Sequence, residues 1–181
     1  MAIIPITVYG DKILRQKAQP VKTVSDSIID KIRNMFHTMR NANGIGLAAN
    51  QVGYRDSIFT IDLEGVEGYE KLKPIVMINP EIILQSDEKI IKEEGCLSLP
   101  NLHANVERSE MIKVRYIDTD EKEKELETGG LFARVILHEY DHLIGKMIPD
   151  RVAEDVKKKL AKELASIMNR EVEIEYPITE R

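Results

Sequence analysis

Apolar residues recur at Ile28, Ile29, Ile32, Met35, Phe36 and Met39, a spacing of three and four that predicts a helix with one stripe turned to a core. Thr23 and Ser25 stand ahead of it as N-cap candidates, and Asn43-Gly44 supplies a stop. Residues 1–22 carry the Tyr9-Gly10-Asp11 turn signal and Pro20, and read as an irregular arm. Past the glycine-punctuated stretch 44–53 the pattern changes to β-type runs over 57–62, 75–79, 81–85, 90–93 and 111–118. Residues 63–73 join the first two of these as a loop. Asp118-Thr119-Asp120 is a hairpin turn into a charged strand over 121–128, whose alternating signs mark a solvated sheet edge. Helical spacing returns at Leu131, Val135, His138 and His142, in a helix opened by Gly129-Gly130 and ended near Gly145. A last helix over 151–169 has Val152, Val156, Leu160, Leu164, Ile167 and Met168 as its stripe. The tail 171–181 is acidic and is expected to fray. This order predicts an α+β fold, with antiparallel sheets around a central helix and a C-terminal helix after it.

Composition narrows the class. A chain of 181 residues, 43% hydrophobic and 31% charged, has the size and balance of a single ordered domain spanning 1–181. It has no apolar run of the roughly 20 residues that a membrane helix needs. The first residues show no basic segment or small-residue cleavage site, so no secretory leader is expected. Cys96 is the one cysteine, which excludes an intrachain disulfide and fits a reducing, cytoplasmic setting. A net charge of −5 argues against a DNA-binding protein. Residues 151–170 run the other way, with six Lys/Arg against three Asp/Glu.

The strongest chemical signal is His138-Glu139-Tyr140-Asp141-His142. On a helix, positions four apart share a face, so His138 and His142 can reach one metal ion. Glu139 then projects beside the open side of that ion, where it can carry protons. A catalytic site of this kind uses a third protein ligand and leaves one position for water. The spacing leaves the third ligand open: Glu154 and Glu163 stand downstream and Cys96 upstream. Taken alone, Cys96 reads as a small buried hydrophobe, and 44–51 reads as tight packing. His37 and His103 read as surface or capping residues. A zinc peptidase using a downstream glutamate and a non-catalytic metal-binding module are both compatible with these residues.

Three segments together carry a resemblance. Gly44-Ile45-Gly46-Leu47-Ala48-Ala49-Asn50-Gln51, Glu94-Gly95-Cys96-Leu97-Ser98 and His138-Glu139-Tyr140-Asp141-His142 resemble the three signature motifs of the peptide deformylases, in that family's order. The compact spacing and C-terminal helix are most similar to the bacterial type. The resemblance implies that Cys96, His138 and His142 hold one divalent cation, Fe2+ in the cell, with Zn2+, Ni2+ or Co2+ as substitutes. It implies Glu139 as general acid/base for a water at that cation, and Gln51 with the Leu97 N–H as donors to the formyl oxygen. Gly46 and its neighbours Ile45 and Leu47 would present backbone to the peptide. Ile45, Ile136 and Leu137 are candidates for the methionine pocket. The implied substrate is an N-formyl-methionyl nascent peptide, deformylated with release of formate, and the basic helix 151–170 would touch the ribosome. Leu137, Asn101 and His103 depart from the family's commoner residues at their positions, and none of these departures removes a ligand, the acid/base or the oxyanion donor.

Overall fold

The computed structural model describes residues 1–180; Arg181, the last residue of the acidic tail, lies outside the described residues. Ser25 opens the first helix, α1 (Asp26–Asn41), its hydroxyl accepting the Ile28 N–H at 3.4 Å. Ile28, Ile32, Met35 and Met39 are buried as the stripe requires. Asn43 leaves the helix at φ 54°, and the Gly44 N–H donates to the Met39 carbonyl at 2.9 Å. Asparagine tolerates this left-handed turn because its short side chain bonds locally.

The strands β1 (Gly46–Ala48), β2 (Ile58–Ile61), β3 (Ile75–Gln85), β4 (Lys89–Cys96), β5 (Leu99–Ser109), β6 (Met111–Ile117) and β7 (Glu123–Gly129) divide between two sheets. One sheet has five strands in the order β1-β2-β3-β6-β7, all antiparallel, and β4 pairs with β5 in the other. The charged β7 is an edge, as its sequence predicts, and β1 is the opposite edge.

Two expectations are corrected here. The runs 75–79 and 81–85 form the single strand β3, whose register slips between Ile78 and Glu81. Pro80 at the slip has no N–H for the ladder. Asn79, at φ 49°, ties the irregularity down by exchanging two hydrogen bonds of 2.8 Å with the Val21 backbone. No strand was expected over 99–109, yet β5 is as long as β3. Leu102, Ala104, Val106 and Arg108 point inward there, and the residues between them are exposed.

Helix α2 (Gly130–Leu143) is buried nearly all round, as a helix at the centre of a fold must be. Phe132, Ala133, Ile136 and Leu137 pack with Phe59, Met77 and Val114 of the large sheet. A second cluster joins α1 to Ile6, Leu47, Ile58 and Ile78. A third joins the inward face of β5 to Leu160, Leu164 and Ile167 of α3 (Glu154–Met168). Helix α3 begins three residues later than the pattern predicts; Arg151 lies before it and bonds the Asp141 carboxylate through Nε at 2.9 Å.

The tail does not fray over its described residues. Ile6 donates its N–H to the Pro177 carbonyl and accepts the Thr179 N–H, both at 2.9 Å. Arg170 and the Thr179 hydroxyl both reach the Asp11 carboxylate, at 2.6 Å. Among the described residues no helix is long and apolar enough to cross a membrane.

Candidate metal centre

Helix α2 brings His138 and His142 to one face, their ring centroids 5.0 Å apart. The β4–β5 ladder slips between Gly95 and Cys96, the kind of irregularity that re-aims a side chain, and Cys96 meets the two rings. Its Sγ lies 3.2 Å from His142 Nε2. One donor atom from each of Cys96, His138 and His142 lies within 4.8 Å of the others. Bonds of about 2.3 Å to sulfur and 2.1 Å to nitrogen in a tetrahedron separate ligand atoms by roughly 3.5 Å, so these donors fit one ion. The His142 Nδ1 is buried with no hydrogen-bond partner among the described residues. Burial, then the charges of His138 and Arg108, hold His142 well below the ordinary histidine pKa, in the neutral form that binds metals.

The orientation of His138 has a clear source. Its Nδ1 lies 3.0 Å from Glu94 Oε2 and donates to that carboxylate, which leaves Nε2 with its lone pair for a cation. Burial disfavours the charged form of His138, but Cys96 and Glu94 together outweigh it and hold its pKa well above the ordinary value, so the same negative partners that favour a second proton on Nε2 would favour a cation in its place. Glu94 is itself clamped. Arg108 donates to both its oxygens at 2.6 and 2.9 Å, and Arg134 adds a bond of 2.8 Å. Burial alone would raise the Glu94 pKa; the bonds from His138 and Arg108 lower it to about 2. Arg108 also donates to Asp141 at 2.9 Å, and Arg151 closes the network from the surface.

Glu139 sits across from these groups. Burial pushes its carboxyl up to about 7, the His138 charge opposing and the Glu94 charge adding to the rise. Its Oε2 is buried without a partner among the described residues. Gly46 of β1 passes so close that a Cβ there would collide with Oε1 and come within 2.9 Å of the carboxyl carbon. Gln51, on the single 3-10 turn after β1, accepts the Ala48 N–H through Oε1 at 2.8 Å. That bond identifies the oxygen and turns Nε2 toward Ser98 Oγ at 3.2 Å and Cys96 Sγ at 3.6 Å. A cavity of about 460 Å³ opens over these groups.

The family model described as "Polypeptide deformylase" matches residues 3–158. The chain belongs to the polypeptide deformylase family. The peptide deformylase of Prosthecochloris aestuarii is 42% identical over 178 residues, covering 98% of this chain and 95% of that protein. That of Salinibacter ruber is 43% identical over 183 residues, covering 97% and 94%. Among solved structures, the Thermotoga maritima deformylase aligns with a TM-score of 0.78 at 40% identity, covering 84% of this chain and 99% of that one. The Ehrlichia chaffeensis deformylase in complex with actinonin aligns with a TM-score of 0.85 at 32% identity, covering 96% and 100%. As a deformylase the chain is an enzyme, a hydrolase that acts on formylated nascent peptides.

The deformylase cavity is lined by Ile45, Gly46, Gln51, Cys96, Leu97, His138 and Glu139, all singled out by the sequence. Leu47, Ile136 and Leu137 do not line it. Leu47 turns its side chain into the cluster beneath α1, and Ile136 and Leu137 face the large sheet. The reason is helical geometry: residues one and two before His138 point well away from its face, while those three, four and seven before it share that face. Those positions are Val135, Arg134 and Leu131, and all three line the cavity. The Glu94–Arg108–Asp141 network was also missed. Its one sequence signal was the pair of acidic residues inside the second and third motifs.

Proposed function

We propose that this deformylase removes the N-formyl group from the N-terminal methionine of newly made polypeptides, with Cys96, His138 and His142 holding one divalent cation and Glu139 as general acid/base. The observation that carries the reading is the convergence of one sulfur and two imidazoles within 4.8 Å, beside a cavity lined by Cys96, His138 and Glu139. Held there, the cation would supply a Lewis acid that makes water nucleophilic near neutral pH. Glu139 takes a proton from that water through its unpartnered Oε2 and returns it to the departing amine nitrogen. The water oxygen adds to the formyl carbon, the carbon–nitrogen bond breaks, and formate and a free amino terminus leave. Gln51 Nε2 and the Leu97 N–H donate to the formyl oxygen as negative charge builds on it.

The open edge of β1 supports a peptide main chain along Ile45, Gly46 and Leu47, and Ile45, Leu131 and Val135 offer an apolar surface for the methionine. In the cytoplasm the cation is Fe2+, with Zn2+, Ni2+ or Co2+ as substitutes. The ties between tail and arm support one catalytic domain over 1–181. The exposed Lys157, Lys158, Lys159 and Lys162 of α3 favour contact with the ribosome. Anaerobic purification, metal analysis and formate release from formyl-Met-Ala-Ser test the core of this reading. Cys96→Ser is expected to lose both metal and activity, and Glu139→Gln to keep the metal and lose at least about a hundredfold in kcat. Full metal and activity in Cys96→Ser, or undiminished turnover in Glu139→Gln, would defeat it.

A further inference from the structure

The tail 171–180 lies beyond the residues matched by the family model, yet it reaches the rim of the cavity. Tyr176 lines the cavity, half-buried, and its hydroxyl donates to the Leu97 carbonyl at 2.7 Å. Four residues along the same rim, the Asn101 side chain donates to the Glu173 carbonyl at 2.9 Å. Asn101 sits at φ 63°, a left-handed conformation that asparagine accepts at little cost, and it adds the tie that a glycine there would lack. The turn between β4 and β5 and the start of β5 are therefore each fastened to the tail at one point.

We propose that Tyr176 is a positioning residue: by holding the Leu97 carbonyl it fixes the Leu97 backbone, and with it the Leu97 N–H offered to the formyl oxygen. Leu97 is then pinned from both sides. Before it, Cys96 is held among His142 and Gln51; after it, the Ser98 carbonyl accepts the Tyr9 N–H at 2.9 Å and the Ser98 hydroxyl accepts from Gln51. Between these anchors Tyr176 holds the Leu97 carbonyl. Preorganised donors of this kind stabilise developing charge because they need not reorient as it forms. The kinetic part of this inference rests on the deformylation reading; the tie between Tyr176 and Leu97 does not.

Tyr176→Phe removes the hydroxyl and keeps the ring in the wall. The expected result with formyl-Met-Ala-Ser is a kcat lowered about fivefold, with KM nearly unchanged and the melting temperature lowered by no more than about 3 °C, the yield of one lost hydrogen bond. In the zinc-loaded protein, the backbone order parameter of the Leu97 amide is expected to fall from the rigid range of about 0.85 toward 0.6. Asn101→Gly keeps the left-handed turn, cuts the second tie, and is expected to lower the same order parameter by less. Unchanged kcat with an unchanged order parameter in Tyr176→Phe overturns the proposal. So does a joint loss of melting temperature, KM and kcat with Leu97 still rigid, which makes the tail a structural wall only. If the wild-type protein releases no formate, the deformylation reading falls, and the order parameter by itself decides whether Tyr176 holds Leu97.

Discussion

Gly46→Ala isolates the closest approach in the site. Gly46 is not among the glycines at positive φ, so alanine meets no backbone penalty there, and the whole effect runs through the added methyl. That methyl would overlap Glu139 Oε1 and lie 2.9 Å from the carboxyl carbon, where ordinary carbon contacts begin near 3.5 Å. The carboxyl must therefore withdraw by roughly 1 Å, a displacement that can lower a rate about a hundredfold, or about 2.7 kcal/mol of barrier. The overpacking itself costs about 1 kcal/mol, because the carboxyl is the free end of a side chain and not backbone. The three donor side chains are untouched, so metal content should stay at one ion per chain. The assay is kcat/KM for formate release from formyl-Met-Ala-Ser, paired with metal analysis and a thermal melt. A fully loaded Gly46→Ala protein with kcat/KM within threefold of wild type would refute the placement of Glu139 in the chemistry.

Two further outcomes follow from the charged groups. Arg108 has only 5% of its side chain exposed and bridges Glu94 to Asp141, so Arg108→Met leaves two buried carboxylates short of a partner. A loss of about 3 kcal/mol is expected, or roughly 10 °C in Tm by calorimetry, and a shift under 3 °C would show that Arg134 and Arg151 suffice. Replacing Lys157, Lys158, Lys159 and Lys162 with glutamate should abolish co-sedimentation with ribosomes and leave turnover of free peptides within about twofold. Persistent co-sedimentation would move the contact elsewhere. Truncation at Asp150 is a poorer test, since it also removes Tyr176 from the cavity wall.

The three helices were legible because each carries a long apolar stripe, and the two histidine donors because they stand four residues apart on one helix, whereas Cys96 joined them only through the resemblance. β5 was hidden by its own composition. Pro100, Asn101 and Asn105 look like loop residues, and its inward positions include a small alanine and an arginine, so the alternation showed little hydrophobic contrast. Arg108 illustrates a deeper limit: its inward orientation is satisfied by Glu94 and Asp141, which lie 14 and 33 residues away, and no local pattern announces such a partner. The basic helix shows the same limit in reverse. Arg151 and Arg170 are counted as surface charge in the sequence, but each is tied to an aspartate, and α3 itself carries four lysines against three carboxylates. The tail looked loose because acidic residues are frequent in it, and its fastenings are backbone groups, Asn101 and Asp11, far off in the chain.

β1 pairs on one flank only, and Ile45 and Gly46 at that border belong to the cavity wall. A guest strand admitted along such a border is gripped by amides and carbonyls that every amino acid carries, so its identity past the first side chain goes unread. On the proposed reading, one groove would then serve a cell's whole repertoire of gene products. The same grip demands a straight, pliant leader, which a protein has while it is still being made and loses once its own beginning is folded away.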